Sequence, residues 1–528
     1  MILPLIFSYT LSAALFSILL RWSKYGVIQV LLVCSLVFLQ LFYQTYENLL
    51  QSLIITLPLL LTALITSVLI KNNSPVDIPG KYKIKFSLDS GNLQINNLRR
   101  GVSITGAAGS GKTESVVYNF IQHFFKHEFC GIIHDYKNFE LTELAYPLFK
   151  HSNLPFYIIS FDPVYNRINP IAPVCLPDEE SVNEVARVLM ENLLEQKDQY
   201  ASGSSRFFND AVEGILSGMI WKLRTYHPKY CTLPHLIALY QLMTGDQLIS
   251  FLSSDFTSRA MADAFISGVD SERQTAAVKG TLANAFKKIS TRKIFFCLSG
   301  NDISLDINNP ANPSVVSVVN NPKLETAYSP IIATIMHSII KQMSIRNRQS
   351  SFVLMEEAPT IRLLNMHRIP ATLRSYDITT LYIMQDKIQN DLLYGDKASK
   401  AILSNLSYQF FGKVNDPTTA SYYEQFFELV NKDVISISKG QNLNFDTRIT
   451  KTKREVSKIR ADLFFRLQPG EFVAYADGKE KMVKFKKASL KRELPLKFKG
   501  HSHEEIERNF QQIYLDVRKL LMELEEPY

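Results

Sequence analysis

The residues most capable of chemistry form one short run: Gly106, Ala107, Ala108, Gly109, Ser110, Gly111, Lys112 and Thr113. It fits the pattern GxxxxGK[ST]. Glycines let a backbone fold around phosphate and turn its N–H groups inward. The lysine of such a loop reaches the β- and γ-phosphates of a nucleoside triphosphate, and the hydroxyl after it ligates Mg2+. Lys112 and Thr113 hold those places, and Glu114 completes the expected nucleotide contacts. A second run, Phe352 to Met355, is apolar and ends in Glu356 and Glu357. A buried strand delivers such acids to its carboxyl end, beside a phosphate loop. Glu356 would hold Mg2+, directly or through water, and Glu357 would polarise an attacking water. The alternative is a strand that ends in solvated acids. A phosphate loop in the same chain favours the first reading.

These residues need a sheet to position them. The loop follows VSIT at 102–105 and precedes ESVVYNFIQHFFK, so strand, loop and helix come in the required order. Further β-prone runs are CGIIHD (130–135), FYIISFD (156–162), KIFFCLS (293–299), SVVSVV (314–319), FVLM (352–355) and TTLYIM (379–384). They alternate with helical stretches, which predicts an α/β fold with a largely parallel sheet covered on both faces. Residues 177–290 hold no convincing strand and read as amphipathic helices, an all-α insertion. The expected order is therefore an N-terminal anchor at 1–71, nucleotide-binding segments at 72–176 and 291–500 around the 177–290 insertion, and a helical tail at 501–528.

Residues Ile2 to Leu20, Val27 to Tyr46 and Leu53 to Ile70 carry no charge. Each run approaches the ~20 residues a helix needs to cross a bilayer. Arg21, Lys24, Lys71, Lys81, Lys83 and Lys85 flank them, and three spans with the N-terminus outside put all these cations inside. A two-span hairpin over 27–70 would also anchor the chain. Either topology leaves the bulk in the cytoplasm. Five scattered cysteines with no CxxC argue against a disulfide framework or a zinc site and fit a reducing compartment. The formal charge is +8, and residues 479–499 alone carry nine basic and two acidic side chains. That stretch and 447–466 are either a solvated strand face or a surface for DNA or another phosphate.

Taken together, the chain resembles the type IV secretion coupling proteins, the TraG/TraD-like branch of the FtsK/HerA motor ATPases. The resemblance rests on the N-terminal apolar runs, the 106–113 loop, Asp135-Tyr136-Lys137, Asn169-Pro170, the helical block, FVLMEEAPT at 352–360, Gln385 in YIMQDKIQ, and LQPGEFVAYADG at 467–478. It implies a RecA-like P-loop NTPase domain in a membrane-anchored homo-hexamer at the bacterial inner membrane. Such a ring hydrolyses ATP with Mg2+. It passes single-stranded DNA with a bound relaxase, or protein effectors, to a secretion channel. Gln385 would sense the γ-phosphate, and Arg374 matches the arginine that reaches into the neighbouring subunit. One position departs from the family: Glu356 stands where Asp is usual. Its extra methylene favours a water-bridged Mg2+ contact, because octahedral Mg2+ tolerates displaced ligands poorly. A membrane scaffold that binds nucleotide without turnover is the reading from another class.

Overall fold

The computed structural model describes residues 80–194, 203–439, 447–495 and 501–525. The three apolar runs expected to span a membrane lie outside these residues. Among those described, no helix is long and apolar enough to cross a membrane. The chain divides into two units, Met1–Lys81 and Tyr82–Tyr528, and the account below concerns the second.

The strands in chain order are β1 (Ile84–Phe86), β2 (Leu93–Ile95), β3 (Val102–Thr105), β4 (Cys130–Asp135), β5 (Phe156–Ile159), β6 (Val315–Val319), β7 (Ser351–Met355), β8 (Ile378–Met384), β9 (Tyr408–Phe411), β10 (Leu429–Lys439), β11 (Thr447–Ser457), β12 (Glu471–Ala476) and β13 (Lys479–Lys484). Nine of them form one sheet in the order β13-β12-β9-β3-β8-β7-β4-β6-β5. From β9 to β5 every pairing is parallel, and the β12–β13 hairpin adds an antiparallel edge. Asp477 and Gly478 turn that hairpin with positive φ at both positions, as a two-residue hairpin loop requires.

Strands β3, β4, β6, β7 and β8 are buried along their whole length, because both faces of the sheet are covered. Side chains alternate between two cores. Phe352 and Leu354 join one core with helix Tyr118–Lys126, while Val353 and Met355 join the other with the helical layer. The fit is tight where β4 meets β7. A Cβ on Gly131 would lie 2.4 Å from the Phe352 carbonyl oxygen and 2.8 Å from its ring. We expect Gly131→Ala to destabilise the protein by roughly 3 kcal/mol, the upper end of overpacking costs. Urea unfolding should then show a lower midpoint with an unchanged slope.

Helices fill the chain between β5 and β6: Glu179–Leu193, Gly203–Tyr226, Leu233–Leu242, Gly245–Ser253, Phe256–Met261, Asp263–Ile266, Glu272–Ile289 and Arg292–Leu298. The last corrects the sequence expectation, which made KIFFCLS at 293–299 a strand. Thr291 caps this helix by accepting the Ile294 N–H at 3.3 Å. A short apolar run does not distinguish strand from buried helix by itself. The cap and the packing of Phe295 on Phe510, with centroids 5.3 Å apart, select the helix. Phe510 belongs to the terminal helix His503–Glu525, which packs on Leu233–Leu242 and Arg292–Leu298 through buried Ile506, Ile513, Val517 and Leu520. Tyr514 donates to Gln241 Oε1 at 2.5 Å in the same contact.

Candidate active site

The loop 106–111 leaves the carboxyl end of β3 and doubles back with Gly109 at φ 75° and Gly111 at φ 85°. Only glycine adopts these angles freely. Gly111 also has no room for a side chain, since a Cβ there would lie 2.9 Å from the Gly470 nitrogen. Neighbouring strand ends hold the loop. Gly106 N–H donates to the Met384 carbonyl at 3.3 Å, Ala107 N–H to Lys413 at 2.7 Å, and Gly470 N–H to the Ser110 carbonyl at 3.0 Å. Ala108 and Gly109 form the exposed tip. Lys112 opens a π-helical turn, Lys112–Val117, that runs into helix Tyr118–Lys126. Thr113 and Glu114 are half-buried on that turn.

Lys112 is buried and donates to the Gly106 and Ala107 carbonyls. Burial lowers its pKa, while the charge of Glu357, then that of Glu356, raises it against the neighbouring Lys137. The loop after β3 and the acids after β7 emerge at the same end of the sheet, with β8 between them. Glu356 and Glu357 leave the carboxyl end of β7, and both side chains are buried. Glu356 Oε2 accepts the Tyr136 N–H at 3.1 Å, and Oε1 lies 3.3 Å from Lys137 Nζ. Burial and the nearby Asp135 carboxyl push the Glu356 pKa up, and Lys137 pulls it down. Glu357 has a positive φ of 42°, a conformation that side chains adopt at a cost. Gln385, the residue after β8, donates to Glu357 Oε1 at 3.0 Å.

Because β8 lies between β3 and β7, Gln385 reaches the acid pair from the loop side. Because β4 lies on the other side of β7, the turn at 136–137 reaches it from the opposite side. Asp135 anchors that turn. Its Oδ2 accepts the Thr142 N–H at 2.7 Å and hydroxyl at 2.6 Å, and burial pushes its pKa up to about 6. An open cavity of about 490 Å3 beside the site is lined by Tyr136, Glu325, Glu357, Arg362 and Gln385 among others.

Arg374 does not join this group. It is exposed, in a short turn before β8. Met384, at the other end of β8, is the residue in register with Thr105 beside the loop. At about 3.3 Å per residue, Arg374 is some 20 Å or more away, at the opposite sheet edge. Within its own chain it cannot reach the Lys112 site. The ion pairs of Lys137 were not foreseen from sequence either. The run Asp135-Tyr136-Lys137 was the available signal, and it says nothing of which strand lies alongside.

Among the described residues, no cluster of His, Cys, Asp or Glu could hold a metal ion alone. Mg2+ is ordinarily bound by one or two protein oxygens plus substrate phosphates. The Thr113 hydroxyl and Glu356 suit that arrangement. Glu356 Oε1 is buried and lies against Lys137 Nζ at 3.3 Å, so a bound cation or its water would share that oxygen with the ammonium.

Comparison with known proteins places the chain in a family. Residues 62–499 match the family described as type IV secretory system conjugative DNA transfer. No curated protein matches the sequence. Among solved structures, the unbound bacterial conjugative coupling protein TrwBdeltaN70 is 12% identical with a TM-score of 0.59, covering 78% of this chain and 90% of its own. TrwB with a non-hydrolysable ATP analogue gives 12%, 0.58, 75% and 87%, and TrwB with ADP and Mg2+ gives 13%, 0.55, 75% and 88%. At such identities the structures speak for the fold, and the family match covers most of the chain: it belongs to the type IV secretory system conjugative DNA transfer family.

Proposed function

We propose that this chain hydrolyses ATP and couples the reaction to passage of DNA into a type IV secretion channel. One observation carries the reading: parallel β3, β8 and β7 bring the Lys112 loop, Gln385 and Glu357 to one edge of the sheet, with Gln385 bonded to Glu357, although 273 positions separate Lys112 from Gln385. Lys112 would neutralise charge on the β- and γ-phosphates. Thr113 and Glu356 would hold Mg2+, which supplies further neutralisation of the phosphoryl oxygens when bound. Glu357 would orient the attacking water and take up its proton, with Gln385 tying the carboxylate to the γ-phosphate position. A structurally similar protein, TrwB, has been solved with ADP and Mg2+, which favours the same ligands here.

The finer parts of the reading follow from the family. Arg374 would act in a neighbouring copy, which its exposed place at the far sheet edge allows, and a homo-hexameric ring would supply that neighbour. The uncharged N-terminal runs would anchor the ring in the bacterial inner membrane with this unit in the cytoplasm. A relaxase-bound single strand is the proposed cargo. The β10–β11 hairpin pairs outside the main sheet and carries part of the basic excess, which suits contacts with a phosphate backbone.

Steady-state ATPase assays with and without single-stranded DNA test this. We expect stimulation by DNA that fades as salt rises, because backbone contacts release counterions. Hydrolysis that ignores DNA at low salt would favour protein export. No turnover under any condition, with nucleotide bound, would leave a scaffold.

A further inference from the structure

We infer that Lys137 is a positioning residue for hydrolysis, holding one oxygen of Glu357 so that the other is presented to the attacking water. The inference rests on the ATPase reading above. Lys137 stands two residues past β4, and β4 pairs in parallel with β7, His134 opposite Met355. That register carries the turn at 136–137 alongside Glu356 and Glu357. Lys137 Nζ lies 3.3 Å from Glu356 Oε1, 3.7 Å from Glu357 Oε1 and 3.8 Å from Glu140 Oε2. Glu140 opens the helix that Asp135 pins to the sheet, so the ammonium is braced from behind as well as from the acid pair.

The contacts divide the Glu357 carboxylate into two unlike oxygens. Gln385 Nε2 and Lys137 Nζ both approach Oε1. They come from β8 and from the β4 turn, the strands on either side of β7, so the carboxylate is clamped across the strand that bears it. Oε2 is the atom left for a proton from water. The same turn fixes the other acid through the Tyr136 N–H. Two adjacent buried carboxylates demand a counter-charge. Lys112 supplies one from the loop side, but it also serves the phosphates. Lys137, about a third exposed, can stay on the acids while Lys112 is engaged.

The test uses the full-length detergent-extracted protein, with ATP turnover, binding of ADP and of a non-hydrolysable ATP analogue, and thermal melting. Lys137→Met is expected to lower kcat roughly 10- to 100-fold, with KM and both nucleotide affinities within about threefold of wild type. Lys137→Arg should recover most of the rate, since it restores a cation. Adding Lys137→Met to Glu357→Gln should cost little more, because residues that act through one another are non-additive. Three outcomes would overturn the inference. One is a Lys137→Met rate within about twofold of wild type. Another is loss of affinity for the ATP analogue but not for ADP, which would make Lys137 a phosphate contact. The third is a lowered melting temperature with all readouts falling together and no rescue by arginine. If wild-type turnover proves indifferent to Lys112→Ala, the ATPase reading itself fails and takes this inference with it.

Discussion

Glu357→Gln is expected to yield a protein that binds ATP and does not turn it over. The replacement keeps the shape of the side chain and an oxygen able to accept from Gln385, now 3.0 Å from Oε1. It removes the negative charge that would orient water and take its proton. Loss of a general base of this kind costs roughly 10²- to 10⁴-fold in kcat. Folding should survive, because one buried charge disappears while Glu356 remains to pair with Lys137 at 3.3 Å. Rapid-quench hydrolysis beside equilibrium binding of ATP separates the two effects. Wild-type turnover in this variant would strip Glu357 of its assigned role.

Lys112→Ala should fail one step earlier, at binding. The ammonium is buried, and its pKa is lowered by that burial. The opposite charges of Glu357 and Glu356 offset part of that cost. Its removal deletes a charge-assisted contact to phosphate and leaves the Gly106 and Ala107 carbonyls without their donor. A loss of about 2–4 kcal/mol, roughly 30- to 1,000-fold in ATP affinity, is the expected scale. Titration calorimetry reads it directly. Near-native affinity for ATP would mean that the phosphates lie elsewhere.

The contrast between these variants separates two kinds of information. The phosphate loop is local: eight consecutive residues specify the glycine angles, the lysine and the hydroxyl. The strands that deliver the acids are nearly as local. CGIIHD coincides with β4, and FVLM falls within β7. Asp477-Gly478 marks its hairpin turn in the same way. KIFFCLS shows the limit. Its apolar run suits either state, and the Thr291 cap and contact with Phe510 make it a helix. Phe510 lies more than two hundred positions away, in a terminal helix that sequence alone set apart.

By itself, then, the sequence determined a phosphate-loop pattern, an apolar run that ends in two acids, and the alternation that demands a covered parallel sheet. Glycine conformations, side-chain chemistry and hydrophobic period are written residue by residue. Only the tertiary structure decided who stands beside whom. Inserting β8 between β3 and β7, with β4 beyond, sets Gln385 and Lys137 on opposite flanks of Glu357 and carries Arg374 to the far edge. Strand order is fixed by the packing of both cores at once, and no local stretch of chain encodes it.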